Sequence, residues 1–174
     1  MAPYTHGSVA TVTVAAEPLT ESAWAPFGWL PVDDTDPHDT VDLHFEWADP
    51  HLNYIAHAHD EVPHTPDGAL VCEVMYRHDA HTQALLVTNC DAVVAVAPAS
   101  VDFSAPAHLD AIRAFRLRPG DCFVLHRGTW HWGPFPIGAA PVRLLNVQGR
   151  RYAEDNASID LPARAGAGVI VELG

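Results

Sequence analysis

Histidine dominates the chemistry this sequence can offer. Twelve of the 174 residues are histidines, beside nine arginines and no lysine. The lack of lysine excludes Schiff-base chemistry through a lysine amine. Imidazole titrates near neutrality, so it can take or give a proton, and in its neutral form it ligates transition metals. Two stretches concentrate such groups. Tyr76-Arg77-His78-Asp79-Ala80-His81-Thr82-Gln83 brings a phenol, a guanidinium, two imidazoles and a carboxamide together. Pro119-Gly120-Asp121 opens an apolar run that leads through His126, Arg127 and Gly128 to Trp130-His131-Trp132. His131 and His78 are the first candidates for an acid/base pair, with His126 as a third, and Gln83 is suited to bind an amide or an oxygen. Arg77 is a natural clamp for a carboxylate, and Tyr76 and Trp132 flank the pair as candidate substrate contacts. Alternatively, His78, His81 and His131 form a candidate shell for one divalent transition metal, nickel, zinc, iron or manganese. Gln83 is a weaker ligand than a carboxylate would be, which leaves both chemistries open. His57 and His59 share a face if their segment is a strand; they read as surface residues beside Asp60 and Glu61, with His59 and His64 near a mouth. Arg150-Arg151 reads as a surface or dimer-contact pair.

Side chains this far apart in sequence must be brought together by strands. Apolar or alternating runs occur at Val9–Ala15 (an edge strand), 41–47, 52–59, 69–76, 84–88, 92–97, 111–117, 122–125, 143–148 and 169–173. Their spacing and their Gly, Pro and Asp turns indicate a sandwich or barrel. Leu19 to Trp24 predicts a short helix capped by Thr20 or Ser22 and stopped by Pro26 and Gly28. Pro106 to Arg113 offers a second, weaker one, and the polar stretch 33–40 reads as a surface loop. The expectation is an all-β chain with one or two short helices, organised as a single domain over residues 1–174.

Composition narrows the partners. Twenty-two acidic residues against nine basic ones give a net charge of −13, which argues against nucleic acid and against an anionic membrane surface. The expected partner is a small molecule. Cys72, Cys90 and Cys122 lie in apolar runs and read as core residues. No hydrophobic stretch reaches the roughly 20 residues that span a bilayer, and the chain reads as cytoplasmic.

The stretch from Pro119 to His131 resembles the second motif of cupins: a Pro-Gly-Asp turn, an apolar strand, a glycine, and a histidine turned into the barrel. The usual proline is replaced by His126. The resemblance implies a cupin-type β-barrel, a double-stranded β-helix or jelly roll, that commonly forms homodimers. More narrowly, Leu19 to Gly28, Arg77-His78 with Thr82-Gln83-Ala84, Trp130-His131 after Gly128, and the polar segment 150–156 together resemble the ureidoglycolate lyase family. That family acts in purine catabolism, releasing urea and glyoxylate from ureidoglycolate. Tyr76, Asp79, His81 and Trp132 depart from its pattern and would reshape the site. The resemblance implies a C–N lyase acting at a carbinol carbon. The alternatives are a metal-dependent cupin of another class, a dioxygenase or isomerase, and a non-catalytic cupin that binds a small molecule.

Overall fold

The structure, a computed structural model, describes residues 10–32 and 42–173; the loop expected at 33–40 lies outside the described residues. The elements are β1 (Thr11–Pro18), α1 (Glu21–Trp24), β2 (Gly28–Trp29), β3 (Pro50–His57), β4 (Leu70–Cys72), β5 (Val74–His78), β6 (Gln83–Val87), β7 (Ala92–Ala97), β8 (Arg113–Leu117), β9 (Cys122–Leu125), β10 (Trp130–Pro136), β11 (Val142–Gly149), β12 (Asn156–Asp160), α2 (Leu161–Ala165) and β13 (Gly168–Glu172). They form an eight-stranded sheet, β12-β5-β10-β7-β8-β1-β13-β4, and a five-stranded sheet, β2-β9-β6-β11-β3. The all-β fold of two sheets expected from the sequence is thus what the chain forms.

Alternation on β7 shows how the sheets pack. Val94 and Val96 join Trp24, Phe27, Leu85, Phe115, Phe123, Leu125 and Leu144 in a core between the two sheets. Val93, Ala95 and Ala97 point the other way, into a second core with Met75, Phe103, Trp130 and Trp132 that α2 helps to cover. Side chains two apart share a face, so each strand of the large sheet serves two apolar layers. The inter-sheet core is closed by Trp24, whose ring meets Phe123 and Phe115 edge-on at 4.9 and 5.2 Å. Its indole N–H donates to the Val124 carbonyl at 2.9 Å.

Several expectations need correction. β1 is interior rather than an edge, because it pairs in parallel with both β8 and β13. The strand expected at 41–47 is reduced to one bridge, Phe45 to His81. That stretch hydrogen-bonds across the 80–82 loop, through Glu46 N–H to Ala80 and Thr82 N–H to His44, and so cannot extend along a neighbour. The weak helix at 106–113 is a 3-10 turn, Pro106–Ala111. Thr20 is the cap of α1, accepting from the Ala23 N–H. The sequence reading missed β10, β12 and α2.

Candidate functional site

Two turns set the site. At Gly120 φ is +98°, and the Asp121 carboxylate accepts the Arg118 N–H at 2.7 Å, which starts β9 in register. At Gly128 φ is +76°, a left-handed conformation that favours glycine. Its N–H donates to the His78 carbonyl at 2.7 Å. The reversal before β10 therefore ties the His131 strand to the end of β5.

Register then decides which side chains meet. His131 pairs with Val96 on one side and Tyr76 on the other, so it faces the interior, and Tyr76 and His78 share that face. The His131 and His78 rings lie 5.4 Å apart, and His78 stacks on His81 at 4.5 Å. All three are buried. They adjoin a cleft of about 280 Å³ lined by Tyr76, His78, Gln83, His131, Gln148 and Asn53, with His57, Tyr152 and Phe135 at its margin.

Of the expected site residues, the structure gathers His131, His78, Gln83 and Tyr76 in this cleft, with His81 just behind. Arg77 is not among them. It lies on the opposite face of β5, 4.6 Å over the Trp130 ring and 3.3 Å from Asp79. Trp132 is likewise turned away, because neighbours of an inward His131 must point outward; it packs in the second core. His126 is exposed and tilted against Trp29 at 5.3 Å; it does not line the cleft, but shares a small void with His78, His81, Gln83 and His131. His57 and His59 also part company. His57 lines the cleft and binds Glu61 at 2.8 Å, while His59 leaves the strand and meets His64 at 3.1 Å. Arg151 lies 5.4 Å over the Trp47 ring and 3.7 Å from Asp49, and is not among the cleft residues.

The electrostatics favour neutral imidazoles. Burial, with His131 and His81 nearby, pushes His78 down to about 3. Burial also pushes His131 down to about 4, opposed by the Thr129 carbonyl. His81 is lowered by burial and held up by Asp155. The Thr129 carbonyl lies 3.2 Å from His131 Nδ1. A carbonyl can only accept, so Nδ1 carries the proton and Nε2 keeps its lone pair.

Asp155 is the residue the sequence reading missed. It follows β11 in a turn, accepts N–H bonds from Asp79 and Ala80 at 2.9–3.0 Å, and lies 3.0 Å from His81 Nδ1. The ligand atoms of His78, His81 and Asp155 lie within 4.8 Å of one another. These three side chains could hold a metal, and His131, the third ligand expected from the sequence, stands beside them with its ring 5.4 Å from that of His78. Two neutral imidazoles and a carboxylate suit a divalent transition metal.

The sequence matches the family described as ureidoglycolate lyase over residues 11–161. The chain belongs to the ureidoglycolate lyase family. No curated protein matches it. Among solved structures it is similar to the Lactobacillus farciminis oxalate decarboxylase formate complex, with 16% identity and TM-score 0.41 over 70% of this chain and 31% of that one. It is also similar to a variant of Bacillus subtilis oxalate decarboxylase (16%, TM-score 0.41, 65% of this chain and 24% of that one). A third is Peruvianin-I, a cysteine peptidase from Thevetia peruviana latex (13%, TM-score 0.40, 72% of this chain and 58% of that one). The chain thus spans about a quarter to a third of the oxalate decarboxylases' length. Membership of the ureidoglycolate lyase family accounts for the order of the four fragments from Leu19 to Asn156. No helix among the described residues is long and apolar enough to cross a membrane.

Proposed function

We propose that the cleft cleaves the C–N bond at the carbinol carbon of ureidoglycolate or a close carboxylate-bearing relative, releasing an aldehyde such as glyoxylate and a urea or amide. The observation that carries this reading is the pairing of a neutral His131, its Nε2 lone pair free, with His78 and the Gln83 carboxamide around one cleft. The reaction moves one proton from the hydroxyl oxygen to the departing nitrogen. His131 Nε2 takes the hydroxyl proton, the carbonyl forms, the C–N pair leaves on nitrogen, and an imidazolium protonates that nitrogen. A buried imidazole with a depressed pKa is a weak base but a strong acid, so it returns the proton readily. The substrate carboxylate supports the charged intermediate form of the ring. The cleft lining has no arginine among the described residues, so Tyr76 and Tyr152 supply the hydrogen-bond donors for that carboxylate. The test is release of glyoxylate and urea from ureidoglycolate by the wild type and by His131→Gln. A loss of about 10²-fold or more is expected, and an unchanged rate in the variant would refute the assignment.

The His78, His81 and Asp155 group supports a second, metal-assisted reading. Nickel, zinc, iron or manganese held there would polarise a ligand oxygen and lower its pKa. Elemental mass spectrometry should then find metal in the wild type and less in His81→Ala and Asp155→Asn. This reading admits dioxygenase or isomerase chemistry, which ureidoglycolate turnover would disfavour. We place the chain in a homodimer, because β3 ends its sheet and exposes Leu52 and Tyr54. Light scattering that gives only the monomer mass would overturn this. A cytoplasmic setting belongs to the same reading, supported by three free cysteines.

A further inference from the structure

A row of carboxamides crosses the barrel beneath the histidines. On β11 the inward side chains change from Val142 and Leu144 to Asn146 and Gln148 as the strand rises towards the cleft. On β6 they change from Val87 and Leu85 to Gln83, and β3 brings Asn53 opposite Asn146. Asn146 is fully buried, and Gln83 and Gln148 nearly so. Buried amides are retained only when their hydrogen bonds are made. Here they are made in one direction. Gln83 Nε2 donates to Asn146 Oδ1 at 2.9 Å and to Gln148 Oε1 at 3.2 Å. Asn146 Nδ2 then donates to Asn53 Oδ1 at 2.8 Å. Both hydrogens of the Gln83 amide are therefore used within the row. Its oxygen is left buried with no partner among the described residues, beside His78 and His131.

We propose that this row is a carbamoyl-binding subsite, with Gln83 Oε1 accepting an N–H of the ligand's neutral amide or ureido end, and Asn146 and Gln148 the positioning residues that engage the Gln83 NH2 so that the oxygen is the atom left for the ligand. The proposal rests on the lyase reading for its substrate, but not for its chemistry. An acceptor at the floor repels a carboxylate and welcomes an N–H donor, so the carbamoyl end lies innermost and the carboxylate towards the mouth. That orientation also brings the scissile nitrogen to the histidines.

The test uses neutral N-methylurea as the probe and acetate as its charged counterpart, with binding followed by ligand-observed and side-chain-amide NMR on the intact protein. N-methylurea should bind the wild type, shift the Gln83 side-chain amide signals and be preferred over acetate. Gln83→Met should weaken it roughly tenfold to a hundredfold, the range for losing a partner to a buried polar group. Asn146→Leu lets the Gln83 amide turn and should weaken N-methylurea while relieving the discrimination against acetate. Asn146→Asp keeps the acceptor that Gln83 needs and should restore the affinity for neutral N-methylurea lost in Asn146→Leu, a rescue that a merely structural role would not give. Equal binding of the two probes by the wild type, or N-methylurea binding unchanged in Gln83→Met, would overturn the proposal. Because binding is measured without turnover, an inactive protein that prefers N-methylurea would sink the lyase reading and leave the subsite standing.

Discussion

The buried imidazoles make stability depend on pH in a direction the structure fixes. An unfolded histidine titrates near 6.5, whereas burial holds His78 at about 3 and His131 at about 4 in the folded chain. A folded value below the unfolded one means that the unfolded state binds more protons between them. The associated stability is complete above about pH 6.5 and is lost as pH falls towards 4 and then 3. Between about pH 7 and about pH 5 an unfolded imidazole gains most of a proton and the folded one almost none, a difference of about 2 kcal/mol per residue, or about 4 kcal/mol for the pair. That is a large part of the roughly 5–15 kcal/mol that holds a domain together. The assay is urea denaturation at both pH values, with chelator present so that metal release contributes nothing, on the wild type, His78→Gln and His131→Gln. Each variant should lose about 2 kcal/mol of the pH-dependent difference, whatever its stability at pH 7. If both variants keep the wild-type dependence, the two rings are hydrated or charged in the folded chain, and the argument for neutral, poised imidazoles fails.

Three further outcomes follow from the packing. Gly128→Ala should cost about 1–2 kcal/mol for the left-handed backbone alone, with more from a Cβ placed 3.0 Å from that of Ala99; thermal melting measures it, and an unchanged melting temperature would contradict the turn. Trp24→Ala should cost about 3–5 kcal/mol, since it empties the aromatic cluster between the sheets, and chemical denaturation checks this. Arg77→Ala should leave the KM for ureidoglycolate unchanged, because the guanidinium lies over Trp130 on the far face of β5; a raised KM would return Arg77 to the cleft.

Local chemistry was enough to bring out His131 and His78 as candidates, His131 because a Pro-Gly-Asp turn and a glycine before it reveal themselves in sequence, and His78 because it stands in a stretch dense in polar groups. Strand parity was the harder step. Arg77 and Trp132 adjoin the two key histidines in sequence, and for that reason face away from them in the barrel. Asn146 and Gln148 did leave a signal, two carboxamides at alternate positions of a strand whose other polar side chain is Arg143. Asp155 left none, because its approach to His81 depends on how a turn folds back over the 79–81 loop. β10 was hidden by Gly133-Pro134, residues that normally break a strand; here they fall at an irregularity between Trp132 and Phe135.

The aromatic plug of Trp24, Phe115 and Phe123 gives the barrel a consequence for traffic. Among the described residues these rings fill the barrel on the side of the core, so a ligand in the cleft that enters last departs first. On the lyase reading proposed above, a ligand seated carbamoyl end down would place the aldehyde acid above the amide product, to leave ahead of it. The amide product, alone at the bottom, competes directly with fresh substrate, whereas the aldehyde acid meets an occupied floor and inhibits without competing. On that reading the order of release would be set at the closed end of the barrel, far from any bond that breaks.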